Sequence, residues 1–194
     1  IGLARDTYFI DREVRAGRWP KPRGISLKGK RAGVIGYGDI GRNTIARLQA
    51  IGMEVVAWDP AYTGRNDTIV PVVAWPERID TCDFLVFTCS LTPSSRHMLN
   101  RETLSHVKPG VRVVNVARGP LIDEPALVDA LLGGHVHSAA LDVMQQEPLP
   151  ADSPLRRFDR CIFGSHNGSN TADAVAATSR IAINKLMKFL SDHG

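Results

Sequence analysis

From Arg31 onward, short apolar runs alternate with stretches whose apolar residues recur every three or four positions. The runs Ala32–Ile35, Val55–Trp58, Phe84–Phe87, Val111–Val116, Ala139–Leu141 and Cys161–Phe163 show little polar alternation, the pattern of strands buried on both faces. Val70–Val73 is a weaker strand. Asp39 to about Ile51 reads as a helix, with Ile45, Leu48 and Ile51 on one face and Gly52 as its stop. A second helix follows Asp123 as N-cap and ends at Gly133-Gly134. A third begins at Asn170, with Asp173 in capping-box position, and runs to about Leu190. Before Arg31, residues 2–16 read as one helix ending near Gly17, and Pro20, Pro22 and Gly24 make an extended connector. Strand–helix alternation predicts an α/β fold, a doubly wound parallel sheet.

The bulk numbers narrow the class. At 194 residues the chain suffices for one full core, and 43% hydrophobic content is ordinary for a globular protein. No apolar run is long enough to cross a membrane, and no signal-peptide pattern argues for export, so the reading is cytoplasmic. Cys82, Cys89 and Cys161 lack metal-ligand spacing and sit in or beside apolar runs, as small buried residues of a reducing compartment do. No metal site is expected: His135 and His137 lack a third ligand nearby. His97, His106, His135, His137 and His193 are placed on polar loops or ends.

Net charge is +4 but uneven. Residues 1–31 carry nine Lys/Arg against Asp6, Asp11 and Glu13, a net +6, while the remainder has 15 basic and 17 acidic residues. This basic stretch matches no nucleic-acid module, so an arm packing on a second subunit is the better reading. The chain also opens on Ile1, inside a helical pattern without a cap, as a piece of a longer protein would.

Candidate chemistry begins at Gly36-Tyr37-Gly38-Asp39-Ile40-Gly41, directly after a buried strand and opening a helix. That context makes the glycine pattern a dinucleotide fingerprint of the Rossmann type. Gly36 permits the tight turn, Gly38 lets backbone approach a pyrophosphate, and Gly41 lets the helix pack near the strand. The N–H groups around Asp39 and Ile40 face the phosphates. Asp59 ends the next strand, 18 positions after Gly41, where a carboxylate accepts the adenosine ribose hydroxyls and repels a 2′-phosphate. NAD is therefore favoured over NADP, with Arg65 nearby softening the preference.

Arg118, Glu147 and His166 each follow a predicted strand at its carboxyl end, where open α/β sheets bind ligands. Arginine binds a carboxylate through two charge-assisted bonds and polarises a carbonyl. Histidine delivers the proton that accompanies hydride addition to C=O, and a neighbouring glutamate stabilises the protonated imidazole. Alone, each has a structural reading. Together, after a dinucleotide fingerprint, they favour carbonyl reduction.

The segments Gly36–Gly41, Asp59-Pro60, Leu91-Thr92-Pro93, Asn115-Val116-Ala117-Arg118-Gly119, Asp123-Glu124-x-Ala126-Leu127, Leu141-Asp142-Val143, Glu147-Pro148 and Ser165-His166-Asn167-Gly168 resemble the cofactor-binding domain of the D-isomer-specific 2-hydroxyacid dehydrogenases. The resemblance spans nearly the whole chain after Arg31. It implies an NAD-dependent oxidoreductase, like phosphoglycerate dehydrogenase or glyoxylate/hydroxypyruvate reductase, acting on small 2-oxo and D-2-hydroxy acids. Arg118 would bind the 2-oxo acid, His166 would be the acid/base and Glu147 its partner. Ala117 and Gly168 would join the fingerprint and Asp59 in holding the cofactor, with Asp142 near the nicotinamide amide.

It further implies a homodimerisation arm over residues 1–30, a dinucleotide domain over 31–170, and a C-terminal helix over 171–194 returning toward a substrate domain largely absent from this chain. Because that domain supplies N–H groups for the substrate carboxylate, weak or no turnover is expected of this chain alone. Ser90 stands where the family often has Pro. Two other readings share the fingerprint: an NAD(H)-sensing corepressor-like binding protein of the same fold, and adenosylhomocysteine hydrolase, whose mechanism lacks the Arg118/Glu147/His166 set.

Overall fold

The structure is a computed structural model that describes residues 1–62, 65 and 67–193. Among them, seven parallel strands form one sheet: β1 (Arg31–Ile35), β2 (Glu54–Trp58), β3 (Val72–Val73), β4 (Phe84–Phe87), β5 (Val111–Asn115), β6 (Val136–Leu141) and β7 (Ile162–Phe163). Their order is β3-β2-β1-β4-β5-β6-β7. The doubly wound sheet read from the sequence is the sheet observed. Chain direction across it reverses beside β1, which pairs with β2 on one side and β4 on the other. A crevice opens at such a reversal, outside the strands' carboxyl ends.

The helices are α1 (Gly2–Arg5), α2 (Thr7–Arg15), α3 (Asp39–Ala50), α4 (Arg101–His106), α5 (Glu124–Leu132) and α6 (Ala172–His193). The core lies on both faces of the central strands. Phe87, Ile35, Leu85, Leu99, Leu121, Leu127 and Val113 are almost fully buried. Each such aliphatic or aromatic side chain contributes about 1.5–3 kcal/mol by leaving water.

Several boundaries differ from the pattern reading, each for a local reason. The first helix is split at Asp6, whose φ of 49° interrupts the helical ladder. Leu3 and Ala4 are buried with Ala32, Met53 and Phe84, whereas α2 buries nothing. Ile45 of α3 is buried, but Ile51, the residue that caps its end, is 44% exposed. β6 begins at Val136, earlier than its apolar run: Val136 and Ser138 both point inward and Ser138 is fully buried. His137 therefore lies within a strand, not on a loop.

Helix α4, invisible as periodicity, is six residues long and is fixed by a capping box in which the Asn100 side chain accepts the Thr103 N–H. Helix α6 starts two residues after Asn170. Thr171 Oγ1 accepts the Ala174 N–H at 3.2 Å. The Asn170 amide instead donates to Asn167 Oδ1. Along α6, Ile181, Ile183, Leu186, Met187, Phe189 and Leu190 are all more than half exposed.

No helix of the described residues is long and apolar enough to cross a membrane. The three cysteines are free thiols. Burial pushes each of them up to about 11.

Candidate active site

The glycine loop leaves β1 at the reversal point. Gly36 has φ 104°, and a Cβ there would come within 2.8 Å of the Cys89 backbone, so neither its conformation nor its surroundings admit a side chain. A Cβ on Gly41 would overlap the Gly36 carbonyl oxygen, which is why α3 can approach the strand. Gly38 differs: a Cβ there meets nothing within 4 Å. Its bareness serves no packing within the chain. Gly38 is also the N-cap of α3 and offers no side-chain cap to the first-turn N–H groups. An open approach, uncapped N–H groups and the positive end of a helix suit a pyrophosphate.

Asp59 stands across this loop. Its Oδ2 accepts the Tyr37 N–H at 2.9 Å and its Oδ1 the Ala61 N–H at 3.0 Å. The carboxylate is thus oriented by the fingerprint's own backbone. Asp39 and Ile40 are exposed on the first turn. Arg42, a residue to which the sequence reading gave no part, ties this region together. It donates to Asp39 Oδ1 at 2.5 Å, to the Tyr37 carbonyl at 3.1 Å and to the Tyr62 hydroxyl at 3.4 Å. The buried Tyr37 hydroxyl accepts the Ile69 N–H at 2.8 Å. These bonds hold the segment after β2 against the glycine loop. Residues that fit NAD are present, and they are ordered by one another.

Glu147 and His166 meet directly. His166 Nδ1 lies 2.8 Å from Glu147 Oε2, and Glu147 Oε1 accepts the Met144 N–H at 2.9 Å. The His166 bond first, and the Met144 N–H second, hold the Glu147 carboxyl below its usual range. His166 Nε2 has no partner among the described residues and the side chain is 48% exposed. His166 has a φ of 58°, a left-handed conformation that a non-glycine residue rarely adopts.

Arg118 lies just beyond β5 and is exposed. It makes no hydrogen bond to Glu147 or His166. One guanidinium nitrogen donates to the Ala117 carbonyl at 2.6 Å, and the other N–H groups lack partners among the described residues. Its backbone is set by Asn115, 1% exposed, whose side chain donates to the Arg118 carbonyl at 2.9 Å and accepts the Ala117 N–H at 3.0 Å. Ala117 itself is buried and offers little surface to a ligand. Gly119 packs so closely on the next loop that a Cβ would overlap the Met144 carbonyl. The loop of Arg118 therefore rests on the loop that carries Glu147.

Asp142 accepts N–H groups from the His166 loop, including that of Gly168 at 2.8 Å. Among the described residues no group of three or more His, Cys, Asp and Glu side chains could hold a metal ion.

Residues 1–168 match the family model described as D-isomer specific 2-hydroxyacid dehydrogenase, NAD binding domain. The chain belongs to that family. A D-3-phosphoglycerate dehydrogenase of Methanocaldococcus jannaschii is 36% identical over 195 residues, covering 98% of this chain and 37% of its own length. A hydroxypyruvate reductase of Thermotoga maritima is 37% identical over 195 residues, covering 98% of the chain and 63% of its own length. A crystal structure of a glyoxylate reductase from Paecilomyes thermophila superposes with a TM-score of 0.86 at 32% identity, covering 96% of this chain and 57% of that one. This member of the 2-hydroxyacid dehydrogenase family thus spans less than two thirds of the length of these relatives.

Proposed function

We propose that the full-length protein carrying this domain is an NAD-dependent oxidoreductase that interconverts 2-oxo acids and D-2-hydroxy acids. The observation that carries the reading is the 2.8 Å contact of His166 Nδ1 with Glu147 Oε2, which leaves Nε2 free. An imidazole held at one nitrogen by a carboxylate presents the other as a proton donor and acceptor. Arg118, with unpartnered guanidinium N–H groups, binds the substrate carboxylate and polarises the carbonyl beside it. Bound NAD would take or supply the hydride. Gly36, Gly38, Asp39, Ile40 and Gly41 cradle its pyrophosphate and Asp59 its adenosine ribose, with Ala117, Asp142 and Gly168 toward the nicotinamide end. In the reducing direction His166 gives its proton to the carbonyl oxygen, and in the oxidising direction it removes the proton of the hydroxyl. Glu147 keeps the ring oriented in both.

We further propose that the protein is a homodimer whose arm is residues 1–30. Tyr8, Val14 and Trp19 are 64%, 41% and 77% exposed there, an apolar surface without cover in a single chain. The exposed apolar residues of α6 suit a helix that packs on the rest of the full-length protein. Free thiols suit the reducing cytoplasm. Arg12, Arg15 and Arg18 of the arm are held in ion pairs with Asp159, Asp11 and Glu13, which favours a protein contact over nucleic acid.

The test is a titration with NADH and with NADPH, followed by energy transfer from tryptophan to the nicotinamide, and then NADH oxidation with a panel of 2-oxo acids. Saturable NADH binding, weaker NADPH binding and turnover of at least one 2-oxo acid by the full-length protein are expected. Tight NADH binding with no turnover of any 2-oxo acid would favour the sensor reading instead.

A further inference from the structure

Three successive backbone N–H groups of the His166 loop converge on one residue. The His166 N–H donates to the Asp142 carbonyl at 2.7 Å. The Asn167 N–H donates to Asp142 Oδ1 at 3.0 Å and the Gly168 N–H to Asp142 Oδ2 at 2.8 Å. The carboxylate also shapes the loop on either side. A Cβ on Gly164 would overlap Asp142 Oδ1, and a Cβ on Gly168 would lie 2.9 Å from Oδ2. Between these two glycines sits His166, at φ 58°. A left-handed histidine costs on the order of 1–2 kcal/mol, so it persists only where its surroundings over-determine it.

We infer that Asp142 is the positioning residue for His166: its carbonyl and carboxylate together hold the loop in the left-handed turn that aims Nδ1 at Glu147. Two of the carboxylate's four acceptor sites are committed to this work. Asp142 is itself fixed, since its N–H donates to the Asn115 carbonyl at 2.9 Å. Asn115 also holds Arg118. One chain of bonds thus runs from the Arg118 loop through Asn115 and Asp142 to His166. This assigns Asp142 a part distinct from the nicotinamide contact that the family resemblance implies.

The inference rests on the proposed acid/base part of His166 for its kinetic readout, but not for its spectroscopic one. Asp142→Asn in the full-length protein replaces one carboxylate oxygen by an NH2 group facing an N–H donor. The expected result is a kcat about 100-fold lower, as for a misplaced reacting group, with any loss of NADH affinity much smaller than the loss in kcat. In the same variant, the 15N-correlated NMR signal of the His166 Nδ1–H bonded to Glu147 should be lost. Gly164→Ala, which leaves the carboxylate intact but crowds it, should lose the same signal. The double variant should lose no more kcat than Gly164→Ala alone, because both disturb one device.

An unchanged Nδ1–H signal in a folded Asp142→Asn protein, with NADH affinity falling in step with kcat, would overturn the inference and make Asp142 a cofactor contact only. If the wild-type protein turns over no 2-oxo acid, the proposed function fails while the NMR comparison still decides the part of Asp142.

Discussion

Glu147 Oε2 sits 2.8 Å from His166 Nδ1 while Glu147 Oε1 accepts the Met144 N–H, so one carboxylate orients the imidazole and is itself oriented by backbone. Replacing Glu147 with Gln keeps the shape but removes the charge. We expect kcat of the full-length protein to fall about 10- to 100-fold, less than the roughly 100- to 10,000-fold of losing the acid/base itself, with NADH binding retained. Steady-state kinetics beside a binding titration checks this. Equal losses in kcat and NADH affinity would contradict the assignment.

The acid side of the pH dependence follows from the same pair. Glu147 titrates below its ordinary value when folded, chiefly through the His166 bond. A depressed carboxyl stabilises the folded state fully above the unfolded value, and that contribution fades as pH falls through the folded one. The Glu147 carboxylate should therefore still be charged at pH 5. A 13C titration of its carboxyl should show a midpoint below the usual carboxylate range, and a midpoint above that range would contradict the geometry.

Asp83 closes the opposite, amino-terminal edge of the sheet. It accepts from Lys108 Nζ at 2.8 Å and from the Arg31 N–H at 2.9 Å. Burial pushes its carboxyl up, but Lys108 and the Arg31 N–H outweigh that, and the net shift is downward. Asp83→Ala should destabilise the fold by about 1–3 kcal/mol at pH 7, the cost of losing charged hydrogen bonds and leaving the Arg31 N–H unmet. The sign is that of a depressed carboxyl, so the difference from wild type should shrink as pH falls below about 4. Urea denaturation at several pH values measures it.

Gly119 separates the loops of Arg118 and Glu147 by less than a methyl group's thickness. Gly119→Ala should force them apart, lowering kcat/KM by more than tenfold, in line with the cost of small misplacements, and lowering Tm. Cofactor binding at the glycine loop, on another part of the crevice, should be preserved. Full activity in this variant would show that the two loops do not need their present contact.

The thiols give a check on burial. Held at about 11 by desolvation, Cys82, Cys89 and Cys161 are protonated at neutral pH. Alkylation by iodoacetamide at pH 7.5 should be slow in the folded protein and complete in denaturant, as read by mass spectrometry. Rapid labelling of Cys82 in the folded state would contradict its placement behind β1.

Much of this was legible in the residues. The two-faced burial of the central strands left apolar runs that mark β1, β2, β4 and β5 almost to the residue. Gly36 and Gly41 declare the cradle because their neighbours leave no room for a Cβ. The pairing of Glu147 with His166 was read from their places beyond strand carboxyl ends and was implied again by family resemblance, and the structure brings them into contact. What could not be read had no periodic signal. Helix α4 is too short for one, and its capping box uses Asn100 and Thr103 rather than the familiar Ser/Thr and Glu. His137 looked like a loop residue because the polar pair His137-Ser138 comes directly after Val136 at the start of β6.

Gly119 and Gly164 act through close packing on Met144 and Asp142, segments distant in sequence, while Asn115 and Arg42 act largely on near neighbours whose geometry no periodicity exposes. Asp39 and Ile40 lie exposed at the opening of α3, whereas Ala117 is largely covered.

The most direct test of the central claim is His166→Ala in the full-length protein, assayed for NADH-dependent reduction of 2-oxo acids and, in parallel, for NADH binding. Turnover should fall by at least about 100-fold, the scale of a lost general acid, with NADH affinity close to wild type. Turnover retained in the variant would remove His166 from the chemistry and with it the proposed mechanism.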